Sequence, residues 1–263
     1  MAKETKKPGV PPAKTTAPAI DWGVEQVTGM ENVSTEDLGI PFLLILQKGS
    51  PEVDKSHKDY KSKKIDGAEV GDIINTVTRK VLHKCEGDPV SFVPCTYQTS
   101  FVEWRPRDEG GGFVKYHPDA SILMSCTKNE KGQDVHENGN LVVKTAYFFG
   151  YTFDENGEPE PCVVGMKSTG LKKARQWLNM ISGLKVESPT RGRITPPMFS
   201  HRYSLSSVPE TNESGSWFNW AIESGAPITE AKLVEFGRNS AKTMSLGGKP
   251  SHQITSGEKD VPI

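Results

Sequence analysis

The sequence predicts a mainly β fold, an antiparallel barrel or sandwich with two helices added, and three observations carry that expectation. From residue 72 onward apolar side chains recur with a period of two. Those stretches are rich in Val, Ile, Thr, Tyr and Phe, whose branched or flat side chains suit a pleated surface. Clusters of Gly, Asn, Asp and Pro separate them at short intervals. With 263 residues and a 35% hydrophobic composition, the chain can bury one good core. The expected organisation is a disordered arm over 1–20, one domain over 21–246 and a flexible tail over 247–263.

Taken in order, "MAKETKKPGVPPAKTTAPAI" at 1–20 has no apolar period and cannot repay the entropy of folding. In "STEDLGIPFLLILQKGSPEV", Ser34 and Asp37 suggest a cap, and the apolar run from Phe42 to Leu46 packs on the core before Gly49 and Pro51 end it. "DKSHKDYKSKK" at 54–64 reads as a lysine-rich loop holding one tyrosine. "GDIINTVTRKVLHK" and "PVSFVPCTYQTSFVEWR" read as strands of a hairpin turning at "CEGD". "SILMSCTK", "LVVKTAYFFGYTF" and "PCVVGMKS" are further strands, separated by polar turns. In "STGLKKARQWLNMISGL", Leu171, Ala174, Leu178 and Ile181 fall at helical spacing after a Ser168/Thr169 cap and before Gly183. The region 198–223 reads as a closing hairpin that turns at "NESG", and "PITEAKLVEFGRNSAKTM" as a C-terminal helix. Strands, a basic helix, more strands and a closing hairpin fit an elaborated OB-like barrel.

Several chemistries are disfavoured. Cys85, Cys95, Cys126 and Cys162 lack paired ligand spacing, and His83 with Cys85 has no second pair to complete a zinc site. No apolar stretch has the length of a signal peptide or membrane span. "GMKST" at 165–169 lacks the first glycine of a P-loop, and "EGGGF" lacks the spacing of a dinucleotide loop. His201 and the pair Asp154/Glu155 read as structural and solvated groups. No catalytic constellation stands out, so a binding protein without enzymatic activity or cofactor is expected.

The net charge of −1 excludes a uniformly basic surface, but charge is sorted along the chain. Between Lys167 and Arg193 stand seven basic residues (Lys167, Lys172, Lys173, Arg175, Lys185, Arg191, Arg193) and one acid, Glu187. Between Lys128 and Glu160 stand three lysines and seven acids. The stretch "FVEWRPRDEGGGFVKY" adds aromatic and cationic side chains on a strand that runs into glycines. Alternation puts Tyr97, Thr99, Phe101, Glu103 and Arg105 on one face and Gln98, Ser100, Val102 and Trp104 on the other. Rings on both faces need a second partner besides the core, and single-stranded bases provide one by stacking. On this reading Tyr97, Phe101, Trp104, Phe113 and Tyr116 are stacking candidates, Arg105, Arg107 and Lys115 meet phosphates, and the glycines at 110–112 let the loop close over the strand. In the 141–153 strand, Tyr147, Phe149 and Tyr151 form the core face, leaving Lys144 and Phe148 to look outward.

The order of "GDIINTVT", "VPCTYQTSFVEWRPRDEGGGF", a basic helix after "VGMKSTG", and "FSHRYSLSSVPETNESGSWFNW" resembles the single-stranded DNA-binding proteins of tailed bacteriophages, across roughly residues 40 to 225. That resemblance implies an OB-fold and a role coating replication intermediates in the host bacterial cytoplasm. Two other readings stand beside it: an accessory factor of transcription or recombination that uses the same DNA contacts, and a virion or interaction protein without a nucleic-acid site. The chain lacks the long acidic tail common in such proteins. Its last residues, Asp260, Val261, Pro262 and Ile263, are similar to the partner-binding tip of bacterial single-stranded DNA-binding proteins, which implies a docking role for replication or transcription proteins.

Overall fold

The computed structural model describes residues 40–106, 109, 111–213 and 215–245. The chain divides into two units, 1–38 and 39–263, and all described residues belong to the second. It contains thirteen described strands and three α-helices, so the mainly β class holds. The strands are β1 (Phe42–Ile45), β2 (Ile73–Asn75), β3 (Val81–His83), β4 (Val90–Trp104), β5 (Phe113–His117), β6 (Cys126–Lys128), β7 (Asp134–His136), β8 (Leu141–Phe153), β9 (Pro159–Lys167), β10 (Val186–Ser188), β11 (Gly192–Ile194), β12 (His201–Asn212) and β13 (Gly215–Pro227). The helices are α1 (Tyr60–Lys63), α2 (Gly170–Gly183) and α3 (Ala231–Ser245).

One curled sheet runs in the order β13-β12-β4-β8-β9-β1-β2-β3, with β5 added to β4, β7 to β8 and β6 to β7; β10 and β11 form a separate hairpin. All pairs are antiparallel except β1 with β9, where Phe42 and Leu43 lie beside Val163 and Val164. β4 is the spine. Its Val93–Trp104 segment pairs with β8 along one edge, while the other edge is shared by β12, at Val90–Phe92, and β5, at Phe101–Trp104. A register shift between Pro94 and Thr96 bends the strand where it passes from one partner to the other. Gly150 lies against that bend, and a Cβ there would sit 2.1 Å from the Val93 carbonyl oxygen and 2.7 Å from Phe92 Cζ.

Both faces of the sheet are covered. On one, α2 lays Trp177 over Phe148 with ring centroids 4.1 Å apart and 24° between planes, and Trp177 also meets Phe92 and Tyr203 edge-on. On the other, Leu233 and Phe236 of α3 pack with Val93, Cys95 and Tyr151. Each fully buried aromatic contributes about 2–3 kcal/mol by leaving water, so these layers carry much of the core.

The sheet's ends are brought together by side chains. The Gln47 amide accepts from Phe218 N and donates to Phe218 O, both at 2.9 Å, so it occupies the place of a strand residue beside β13. The Ser207 hydroxyl donates to the Gly71 carbonyl, and Ser207 N approaches His83 Nε2 at 3.5 Å.

Several elements differ from the expectation. Residues 71–84 form the short hairpin β2–β3, not one strand, and β3 pairs with β2 and not with β4, so no hairpin turns at 85–88. Residues 121–125 lie in a 3-10 turn over Ala120–Ser125, capped by the Asp119 carboxylate accepting from Ser121 N, so only the end of the 121–128 segment is strand. A Ser at 121 two residues after Asp119 offered that turn signal, and the apolar Ile122–Met124 run masked it. Helix α2 begins as expected but without a side-chain cap: Thr169 has helical φ/ψ and makes no capping bond, and Ser168 takes a φ of 49°. The expected cap at Ser34 lies outside the described residues.

Candidate nucleic-acid interface

The β4–β5 hairpin carries most of the aromatic candidates, and the structure divides them. Phe101 is 8% exposed and Trp104 3%, so both rings are packed. Trp104 meets Phe113 edge-on at 6.2 Å, and Lys167 Nζ lies 4.8 Å from the centre of the Trp104 ring. Phe113 and Tyr116 are half-buried, and Tyr116 packs with Val102 and Trp104 and reaches Tyr147. Tyr97 is half-buried and 5.1 Å from Phe148, and its surroundings raise its phenol pKa by desolvation. Arg105, Lys115 and Lys144 are exposed, with Lys144 the cross-strand neighbour of Phe101. Arg107 lies outside the described residues.

Phe148 corrects the sequence reading. It is fully buried under Trp177, because α2 covers the face that alternation left for solvent. Phe101 and Trp104 likewise present no open ring face of the kind a base requires. The glycines do a different task from closing a loop over the strand. Gly111 and Gly112 take φ of 64° and 112°, a region that favours glycine, and Gly112 O accepts from Arg105 N, which turns β4 back into β5.

The sequence reading missed the role of Glu103. It is 3% exposed, yet its Oε1 accepts from Asn138 Nδ2 at 2.8 Å and Asn140 Nδ2 at 2.6 Å, and its Oε2 lies 2.9 Å from His117 Nε2. Burial pushes its pKa up, but the bonds from Asn140, Asn138 and His117 outweigh that and hold it down at about 2. Glu103 therefore ties β4, β5 and the turn at 138–140 together. An acid inside an apolar strand, with "ENGN" at 137–140, was the available signal.

A second group of candidates consists of cations on α2 and on the hairpin that follows it. On α2, Ala174, Trp177 and Ile181 face the core, which leaves Lys172 and Arg175 exposed. Arg191 and Arg193 are exposed on the β10–β11 hairpin that follows. None of these four makes an ion pair with a described residue. Glu187 is the cross-strand neighbour of Arg193 without bonding to it. Lys173 differs: it pairs with Glu210 of β12 at 2.9 Å, and the bond from Asn219, with those from Lys173, lowers the Glu210 pKa. Lys185 is held by Ser182 O and Thr195 Oγ1.

Among the described residues no group of acids, histidines and cysteines could hold a metal ion, and no helix is long and apolar enough to cross a membrane. Asp260, Val261, Pro262 and Ile263 lie outside the described residues.

The molecule is thus a mainly β protein that presents exposed basic residues on one helix and on one small hairpin. A family model described as "Pam3 phage gp34-like protein" matches residues 7–249, and the chain belongs to that phage protein family. No curated protein and no solved structure matches the chain.

Proposed function

We propose that this protein binds single-stranded DNA without strong sequence preference during phage replication, coating and protecting strands in the host bacterial cytoplasm, with its curled sheet serving as an elaborated OB-like barrel. The observation that carries this reading is the exposed set Lys172, Arg175, Arg191 and Arg193, four cations without an ion pair among the described residues. Natural surfaces intersperse charges of both signs. A cationic run left unneutralised favours a polyanion, whose condensed counterions are released on binding. Phosphate contacts of that kind carry no base information, in keeping with sequence tolerance. Stacking falls to the half-buried rings of Tyr97, Phe113 and Tyr116, with Arg105, Lys115 and Lys144 near them.

The test is binding of labelled single strands, duplex and RNA at two salt concentrations, with wild type and a Lys172→Glu/Arg175→Glu/Arg191→Glu/Arg193→Glu variant. Affinity for single strands should exceed that for duplex. Neutralising four phosphates contributes about −3 to the slope of log K against log salt, and the variant should lose that share for all sequences alike. A wild type that binds no single strand, or a folded variant that keeps the full slope, refutes the reading.

A further inference from the structure

The lysine-rich segment at 54–64 is not a featureless loop. Its backbone makes two turns, with His57 N donating to Asp54 O and Tyr60 N to His57 O, both at 3.0 Å, that lead into the single turn of α1. The turns are isolated and pass into i→i+4 bonds from Lys63 N to Asp59 O and from Lys64 N to Tyr60 O. Burial follows a period of three. Asp54, His57, Tyr60 and Lys63 are half-buried, whereas Lys55, Lys58, Lys61 and Lys64 are exposed. Four lysines therefore recur every third residue as the exposed row of the segment.

The row is fixed and largely unneutralised. The Arg79 guanidinium donates to the carbonyls of Lys63 and Lys64 from the β2–β3 turn. Lys64 pairs with Asp66 at 2.7 Å, which leaves Lys55, Lys58 and Lys61 without ion pairs among the described residues. The segment's own acids fall on the other two rows. Asp54 is occupied by Ser56, whose side-chain and backbone bonds lower its pKa. Upstream of the segment, Gln47 is bonded to Phe218 of β13, and the next residue, Asn219, has its Oδ1 3.7 Å from where a Gly170 Cβ would stand in the first turn of α2.

We infer that Lys55, Lys58 and Lys61 form a second phosphate-tracking row, which takes the backbone of the same single strand that reaches α2; this rests on the proposed function above. A strand long enough to reach both surfaces should feel both, and a short one only the stronger. The experiment compares a Lys55→Gln/Lys58→Gln/Lys61→Gln variant with wild type on oligothymidylates of about 8 and about 30 nucleotides, one within and one well beyond the usual site size of about 4–16 nucleotides. Thermal melts and circular dichroism check that these exposed substitutions leave the fold intact. For the longer strand the salt slope should become shallower by about 2, three contacts at roughly 0.7 each, with the short strand unaffected. A Lys55→Arg/Lys58→Arg/Lys61→Arg variant should keep the full slope. An unchanged slope on the longer strand in the glutamine variant overturns the inference while the α2 surface stands. If wild type binds neither strand, both readings fall together.

Discussion

Replacing Glu103 with Gln removes a charge from a site built to hold one. The side chain is almost fully buried, and three side-chain donors converge on it. Its pKa is held at about 2 against an ordinary 4.5, which corresponds to about 3 kcal/mol of folding stability at neutral pH. Because the folded-state pKa is depressed, the unfolded chain binds the proton more readily. The contribution is therefore complete above about pH 4.5 and is lost as pH falls through about 2, with roughly half remaining near pH 3. Glutamine keeps an oxygen for Asn138 and Asn140 but turns an amide toward His117, so Glu103→Gln should cost about 2–3 kcal/mol at pH 7, within the range for bonds to a charged group. Urea unfolding followed by circular dichroism at several pH values measures this. The gap between wild type and variant should hold steady from pH 7 to about 5 and narrow below. A loss under about 0.5 kcal/mol at pH 7, or a gap as wide at pH 3 as at pH 7, would show that the convergent donors do not stabilise the carboxylate.

Two core substitutions test the layers on either side of the sheet. Phe148→Ala should destabilise by about 3–5 kcal/mol and shift tryptophan fluorescence to the red as Trp177 loses its stacking partner; a ring engaged mainly with ligand would leave both stability and emission unchanged. Gly150→Ala should cost more than about 3 kcal/mol, since its methyl would meet the Val93 carbonyl at 2.1 Å, where the backbone must move; a melting temperature within a few degrees of wild type would show that the β4 bend yields readily.

Long elements were legible in the sequence where one period persisted. The 141–153 strand, the 170–183 helix and the hairpin turning near residue 213 stand where alternation and helical spacing placed them. Short elements were harder to see, because β2, β3, β6, β7, β10 and β11 have three residues each, too few for a period to separate from noise. Pairing was less legible still. Adjacent strands β3 and β4 part company, and β1 finds β9 more than a hundred residues away, since partner choice depends on burying both faces at once and not on local turns. The same limit governed the candidate site. Alternation correctly put Tyr147, Phe149 and Tyr151 on a core face but could not say that α2 would bury Phe148 on the other, because a strand's sequence does not record what packs on it. Exposed charge was more legible, as the basic run on α2 and β10–β11 follows from which helix positions face the core.

Gln47 bears on how the molecule avoids its own copies. β13 ends the sheet, and an outermost strand ordinarily offers its free amides and carbonyls as a template to any extended chain that drifts past. At Phe218 both groups are already taken by one glutamine amide, which mimics a peptide bond but has no chain on either side to continue the ladder. The outer strand is thereby stopped at mid-length by a cap one residue wide. An extended chain approaching that edge, the outer strand of a second copy included, therefore cannot run its pairing through Phe218.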